Sequence, residues 1–222
     1  MKIQMIIGGM AGALALAGLA GCGASTGEDG VASSGEAVTA PVDPVTFCRA
    51  SGLNVIIGTQ SNDTITGTAA ADCIVGLGGG DTINALGGDD IIFAGEGEDI
   101  VSGGDGNDTI NAGPGQDVVQ GGLGNDTING DDGDDRLNGG DGDDTLSGGQ
   151  GQDRLFGDAG NDSLSGDVGD DQLNGGDGND TLSDCTNHNI LNGNAGTNAC
   201  QAATTGNNSS SLTSCQTTTA CP

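Results

Sequence analysis

The chain has no Trp and no Tyr, and only three Phe in 222 residues. A globular domain of that length carries far more aromatic and branched apolar bulk, so a single large hydrophobic core is excluded. Positive charge is as scarce. Lys2, Arg49, Arg136 and Arg154 stand against 32 Asp and Glu, for a formal charge of −28. Such a surface repels nucleic acid and anionic headgroups, which leaves cations as the charged partners. His188 is the only histidine, so an H-E-x-x-H metal site is excluded. It lies in an irregular stretch near the C-terminus and reads as a surface or capping residue. No catalytic residue is expected, and the chain is not read as an enzyme. Low hydrophobicity with high net charge reads as disorder unless a strict internal period overrides it.

Glycine is what the chain has in abundance, 46 residues of it, and it is periodic. From Gly76 to Ser183 run twelve nine-residue units without insertion or deletion. The clearest is Gly103-Gly104-Asp105-Gly106-Asn107-Asp108-Thr109-Ile110-Asn111. Position four is always glycine: Gly79, Gly88, Gly97, Gly106, Gly115, Gly124, Gly133, Gly142, Gly151, Gly160, Gly169 and Gly178. Position six is always aspartate: Asp81, Asp90, Asp99, Asp108, Asp117, Asp126, Asp135, Asp144, Asp153, Asp162, Asp171 and Asp180. Position eight is always aliphatic, from Ile83 to Leu182. Degenerate units extend the register to 17, from Arg49 to Gln201, with Asp63 and Asp72 still at position six and Cys200 at position eight. Atypical end units are what a stack of repeats needs to close its open ends.

Glycines at positions one, two and four predict a tight turn with positive φ angles and bared backbone. The triplet at positions seven to nine alternates outward, inward, outward, and predicts a very short strand with one buried side chain. One turn and one strand make half a coil. Two units therefore close one coil, giving an all-β parallel solenoid of two sheets. Hairpins do not explain an unbroken nine-residue period, collagen needs Gly at every third residue, and an EF-hand reading from Asp105 fails at Thr109.

Stacked coils lie about 4.8 Å apart, so position six of unit i meets position six of unit i+2. Twelve units give ten such pairs of carboxylates, which repel one another across a core of one aliphatic side chain per nine residues. Ca²⁺ suits this gap, because it takes six to eight oxygen ligands and the turn offers only carboxylates and carbonyls. Mg²⁺ demands a smaller octahedral shell and holds its water. Folding and calcium binding are expected to be one event.

The pattern G-G-x-G-x-D-x-U-x, met in full by the units from Gly103, Gly121, Gly139, Gly148 and Gly175, resembles the RTX or haemolysin-type calcium-binding nonapeptide. The resemblance implies a right-handed β-roll, and the composition on either side of the repeats reads as disordered termini. It implies that the position-six carboxylates and turn carbonyls, position four among them, hold about ten calcium ions. It does not bring a toxin or protease activity, since no separate effector domain is legible.

Residues 1–21 read as an export signal: Lys2, then an apolar run in which five glycines from Gly8 to Gly21 argue against a membrane-spanning helix. Leu19-Ala20-Gly21-Cys22 resembles the lipobox of bacterial lipoproteins. That implies lipid attachment at Cys22, an exported protein held at the bacterial outer membrane or cell surface, and a mature charge of −29 from 32 acids and three Arg once Lys2 is removed. Residues 22–48 read as a flexible tether, 49–201 as the calcium-binding solenoid, and 202–222 as an irregular Ser/Thr-rich tail.

Cys48, Cys73, Cys185, Cys200, Cys215 and Cys221 flank the twelve-unit array. An even number in an exported chain points to disulfides. Cys48–Cys73 is the pairing local to the N-terminal end, and three pairings of the other four remain open.

Alternate units present different faces. One set shows Thr109/Asn111, Thr127/Asn129, Thr145/Ser147, Ser163/Ser165 and Thr181/Ser183; the other shows Ile100, Val118, Arg136/Asn138, Arg154/Phe156 and Gln172/Asn174. The expected role is calcium binding by a structural or adhesive envelope lipoprotein. The alternatives are a glycan- or ice-binding module using the Thr/Ser/Asn face, and an accessory calcium-binding subunit of a secreted enzyme or toxin. A protein surface partner would also fit.

Overall fold

A computed structural model describes residues 43–184, 188–202 and 211–220. The signal and Cys22, together with Cys185 and Cys221, lie outside the described residues. The repeats wind into a β-solenoid of two parallel sheets. Ten strands, from Asn54–Ile57 to Thr217–Ala220, form the first sheet; nine, from Thr64–Thr66 to Ser211–Thr213, form the second. Successive units alternate between the sheets, and each strand pairs with the one two units away, as Leu137 does with Leu155. Two units per coil is therefore the observed geometry.

Position eight points inward throughout. Ile83, Ile92 and Ile110, then Leu137 to Leu191, are no more than 1% exposed and form one continuous column that takes in Cys200, with Leu212 packed against it. The period-two pleat sends the flanking positions outward. On the first sheet Thr109, Thr127, Thr145, Ser163 and Thr181 fall in one register column. On the second, Ile100, Val118, Arg136, Arg154 and Gln172 do so. The guanidinium of Arg136 lies 4.5 Å from the Phe156 ring centroid. The two faces are distinct, as the alternation of units predicts.

Three sequence expectations need correction. First, most central strands have six residues, not three: Arg136–Asp141 continues through positions one to three of the next unit. The ladder skips position one, pairing 136–138 with 154–156 and then 140–141 with 158–159. Second, residues 44–48 are not tether. Pro44–Ser51 form a helix, with Asp43 accepting from the Thr46 N–H and Gly52 closing the C-terminal end at φ 81°. Its Cys48 and Phe47 cover outward-facing Cys73, Val75, Ile91 and Phe93, so the first coils carry a second small core. Third, the tail is not wholly irregular. Ser211–Thr213 and Thr217–Ala220 add two more parallel strands, pairing with Ile190–Asn192 and Ala199–Ala202. Cys48–Cys73 is bonded as expected, and Cys200–Cys215 settles one of the open pairings.

Candidate calcium sites

The turn joining the sheets positions the aspartates. Position two takes a positive φ in all twelve central units, including Leu77 (84°), Leu86 (80°), Asp131 (73°), Asp158 (72°) and Asp167 (66°). Glycine and aspartate tolerate that conformation, whereas the two leucines hold it at a cost. Position four stacks on its own kind: a Cβ at Gly106 would lie 2.2 Å from the Gly88 carbonyl oxygen one coil earlier. Position one corrects the sequence reading, since its glycine does not serve a positive φ. A Cβ at Gly103 would lie 2.2 Å from Asp108 Oδ2 and 2.8 Å from the Gly121 carbonyl oxygen of the next coil. Glycine there leaves room for the carboxylate. Ala85, Ala94 and Ala112 take the same place in three units, fully buried.

All twelve position-six aspartates are buried, at 1–2% exposure. Each turns Oδ1 back to accept the backbone N–H of the position-six residue one coil earlier; Asp126 Oδ1 takes Asp108 N at 2.8 Å, and Asp144 Oδ1 takes Asp126 N at 2.7 Å. The carboxylates thus bridge adjacent coils. Eleven of them, Asp81 through Asp162 and Asp180, leave Oδ2 buried without a hydrogen-bond donor. In the twelfth, Asp171, Oδ2 lies 2.7 Å from the point where a Gly166 Cβ would stand, and Asp184 Oδ2 lies 2.2 Å from that point. Asp184 occupies position one of its unit, where glycine or alanine is the pattern, and that departure is the sequence signal for it.

What surrounds Oδ2 is visible at the C-terminal end, where Asn198 replaces the aspartate. Its Nδ2 donates to the Gly193 oxygen at 2.6 Å and the Ala195 oxygen at 3.0 Å, the carbonyls of positions one and three. In the aspartate units an anionic oxygen takes the place of that amide group. Oxygen acceptors facing one another inside a turn call for a cation between them. Among the described residues no group of three or more His, Cys, Asp or Glu side chains could hold a metal ion. A cation bound here would therefore draw much of its shell from backbone carbonyls. The donor set is all oxygen, and it fits Ca²⁺.

Burial is the first cause of perturbed acidity. It pushes Asp117, Asp126, Asp153 and Asp162 up to about 7, with neighbouring carboxylates adding to the shift and the backbone N–H on Oδ1 opposing it. Asp90 and Asp135 rise to about 6 for the same reason. The repulsion between stacked carboxylates expected from the sequence is present, but it is smaller than the desolvation. His188 sits on the surface, Nδ1 3.9 Å from Asp170 Oδ1, with both side chains more than half exposed.

A parallel solenoid with oxygen-lined turns and a buried carboxylate in every unit is a β-roll of the calcium-binding kind. The comparison with protein families agrees. Residues 50–83, 75–110, 84–119, 111–146 and 147–182 match the RTX calcium-binding nonapeptide repeat, well over half of the chain, and the chain belongs to this family. No curated protein matches it. Such repeats are typical of exported proteins. No helix among the described residues is long and apolar enough to cross a membrane.

Proposed function

We propose that this protein binds about ten calcium ions between its stacked turns and folds as it does so, serving a structural or adhesive role at the cell envelope on a lipid anchor at Cys22. The observation that carries the calcium reading is the row of buried Oδ2 atoms without donors that runs, Asp171 apart, from Asp81 to Asp180. Calcium bound there compensates the negative charge that each carboxylate, buried away from water, otherwise carries unpaired. The carbonyls of positions one and three, which take the Asn198 amide at the C-terminal end, are the backbone oxygens placed to join it, and position-four glycines let the coils stack closely enough to share it. The envelope location rests on the Leu19-Ala20-Gly21-Cys22 sequence. Incorporation of radiolabelled palmitate into the parent but not into Cys22→Ser would support that part; equal labelling would remove it.

The deciding measurement for calcium is an ion count by native mass spectrometry after dialysis against millimolar calcium. Near ten ions per chain are expected, and two or fewer would overturn the proposal. Asp126→Asn is expected to lose ion occupancy yet keep its fold, because an amide Nδ2 finds the carbonyls that Asn198 finds. Asp126→Ala also strips the Asp108 N–H of its acceptor, and should cost about 1–3 kcal/mol more in chemical denaturation.

The raised aspartates set a pH dependence. Their protonated form is favoured by the fold relative to an unfolded value near about 4. Without divalent ion, the stability they contribute is complete below that value and is lost as pH rises through about 7. The chain in chelator should therefore gain β circular dichroism on acidification from pH 8 to 4.5. In calcium the sign reverses, because protons compete for the same oxygens; the calcium midpoint should rise as pH falls below 7.

A second reading is favoured by the register column of Thr109, Thr127, Thr145, Ser163 and Thr181 on the first sheet. Hydroxyls repeated at coil spacing suit a glycan. A glycan array on the calcium-loaded chain tests it, with Thr127→Leu as the weakened variant.

A further inference from the structure

Resting on the calcium reading above, we infer that the two ends of the solenoid are built to hold without ions, and that Thr59, Thr68 and Asn198 set where the ion sites stop. Asp171 apart, the central carboxylates have an oxygen with no donor; the end units supply donors from the protein. Asp63 Oδ2 accepts the Thr59 N–H at 2.6 Å and the Thr59 hydroxyl at 2.9 Å. Asp72 Oδ2 accepts the Thr68 N–H at 2.5 Å and its hydroxyl at 3.0 Å. Both threonines occupy position two, where every central unit has a positive φ. A β-branched residue avoids that region, and neither threonine adopts it. The turn opens differently, and its N–H swings onto the carboxylate. Asp72 is completely buried and still fully paired.

At the other end the chemistry is inverted. Asn189 and Asn198 stand at position six, each accepting through Oδ1 the N–H of an aspartate one coil earlier. The Asn198 amide then donates to Gly193 O and Ala195 O, with Ser214 O at 3.5 Å. A neutral donor stands where the central units need a cation. The same end coils carry the two described disulfides, Cys48–Cys73 and Cys200–Cys215. Polar groups satisfied within the protein and covalent staples coincide at both ends; between them, among the described residues, there is no disulfide, and eleven of the twelve position-six carboxylates keep an oxygen without a donor.

It follows that withdrawal of calcium leaves two folded ends joined by the melted twelve units. Folded, these units span six coils, about 29 Å at about 4.8 Å per coil. As a glycine-rich coil of 108 residues they would average about 57 Å end to end, a roughly twofold lengthening.

The test is hydrogen exchange of the full chain, read by peptide mass spectrometry in calcium and in excess chelator. Amides of 54–75 and 189–202 are expected to keep at least tenfold slower exchange than those of 76–183 in chelator. Ends that exchange as fast as the centre would overturn the inference. A centre that stays protected in chelator, with no ions counted in calcium, would instead overturn the calcium reading. Asn198→Asp gives the second arm. It should add one bound ion in native mass spectrometry and make protection of 189–202 calcium-dependent. An unchanged ion count with unchanged protection would show that Asn198 does not set the boundary.

Discussion

Chelation at pH 8 is expected to abolish most of the β-sheet circular dichroism, and calcium, but not an equal concentration of magnesium, should restore it. The argument rests on the position-six row. Eleven buried carboxylate oxygens without donors are each costly, because an ionised group taken from water without a partner carries an effective penalty of several kcal/mol. A whole domain has only about 5–15 kcal/mol of net stability. The row cannot stay ionised, buried and uncompensated at once. At pH 8 protonation is no escape, since the highest of these groups titrate at about 7. Magnesium fails on geometry: the cleft offers carbonyls from several backbone positions, whereas that ion keeps a tight octahedral shell of water. A β signal unchanged by chelator would refute coupled folding.

Gly133→Ala is expected to be the most damaging single methyl group that can be added. A Cβ at Gly133 would lie 1.3 Å from the Gly115 carbonyl oxygen, and the residue sits at φ 147°. The obstacle is backbone of the preceding coil, so no rotamer change relieves it. Two coils must separate, which breaks the carboxylate bridge from Asp135 to Asp117 N. The calcium concentration at the folding midpoint should rise at least tenfold, or the coils on either side should fail to fold. Gly52→Ala is the control. It too has a positive φ, 81°, but nothing lies within 4 Å of its Cβ, so it should cost only about 1 kcal/mol. Equal effects from the two would mean that backbone conformation, not coil spacing, governs the fold.

The period, the two units per coil, the inward column from Ile83 to Leu182 and the capture of Cys200 by that column were all legible from spacing. Each depends on local alternation that repeats without interruption. The role of position one was not legible, because the reason for Gly103 is a carboxylate later in its own unit, Asp108, and a carbonyl one coil on, at Gly121. The split role of the aspartate was hidden too: nothing in a single unit says that Oδ1 reaches one coil back while Oδ2 stays buried. The N-terminal helix left a trace that composition obscured. Cys73, Val75, Ile91 and Phe93 stand at outward positions where later units have Thr, Ser and Asn, and an apolar outward face implies a cover. Thr59 and Thr68 lie in units that read only as degenerate, although a β-branched residue at position two, which leaves the positive-φ conformation that Leu77 and Asp131 keep, is what makes them donors.

The pairing of unlike units in one coil fixes how such a chain can change length. Inserting or deleting two units together, for example by copying 103–120, adds or removes one complete rung and leaves every later residue on its own side. A change of a single unit preserves the buried column and the aspartate row, yet it transposes everything downstream: the hydroxyl column would continue into arginines and aliphatics, and the second-sheet column into threonines. The solenoid is thus indifferent to single-unit edits in its interior and sensitive to them on its surface. Its length can be edited freely only in whole rungs.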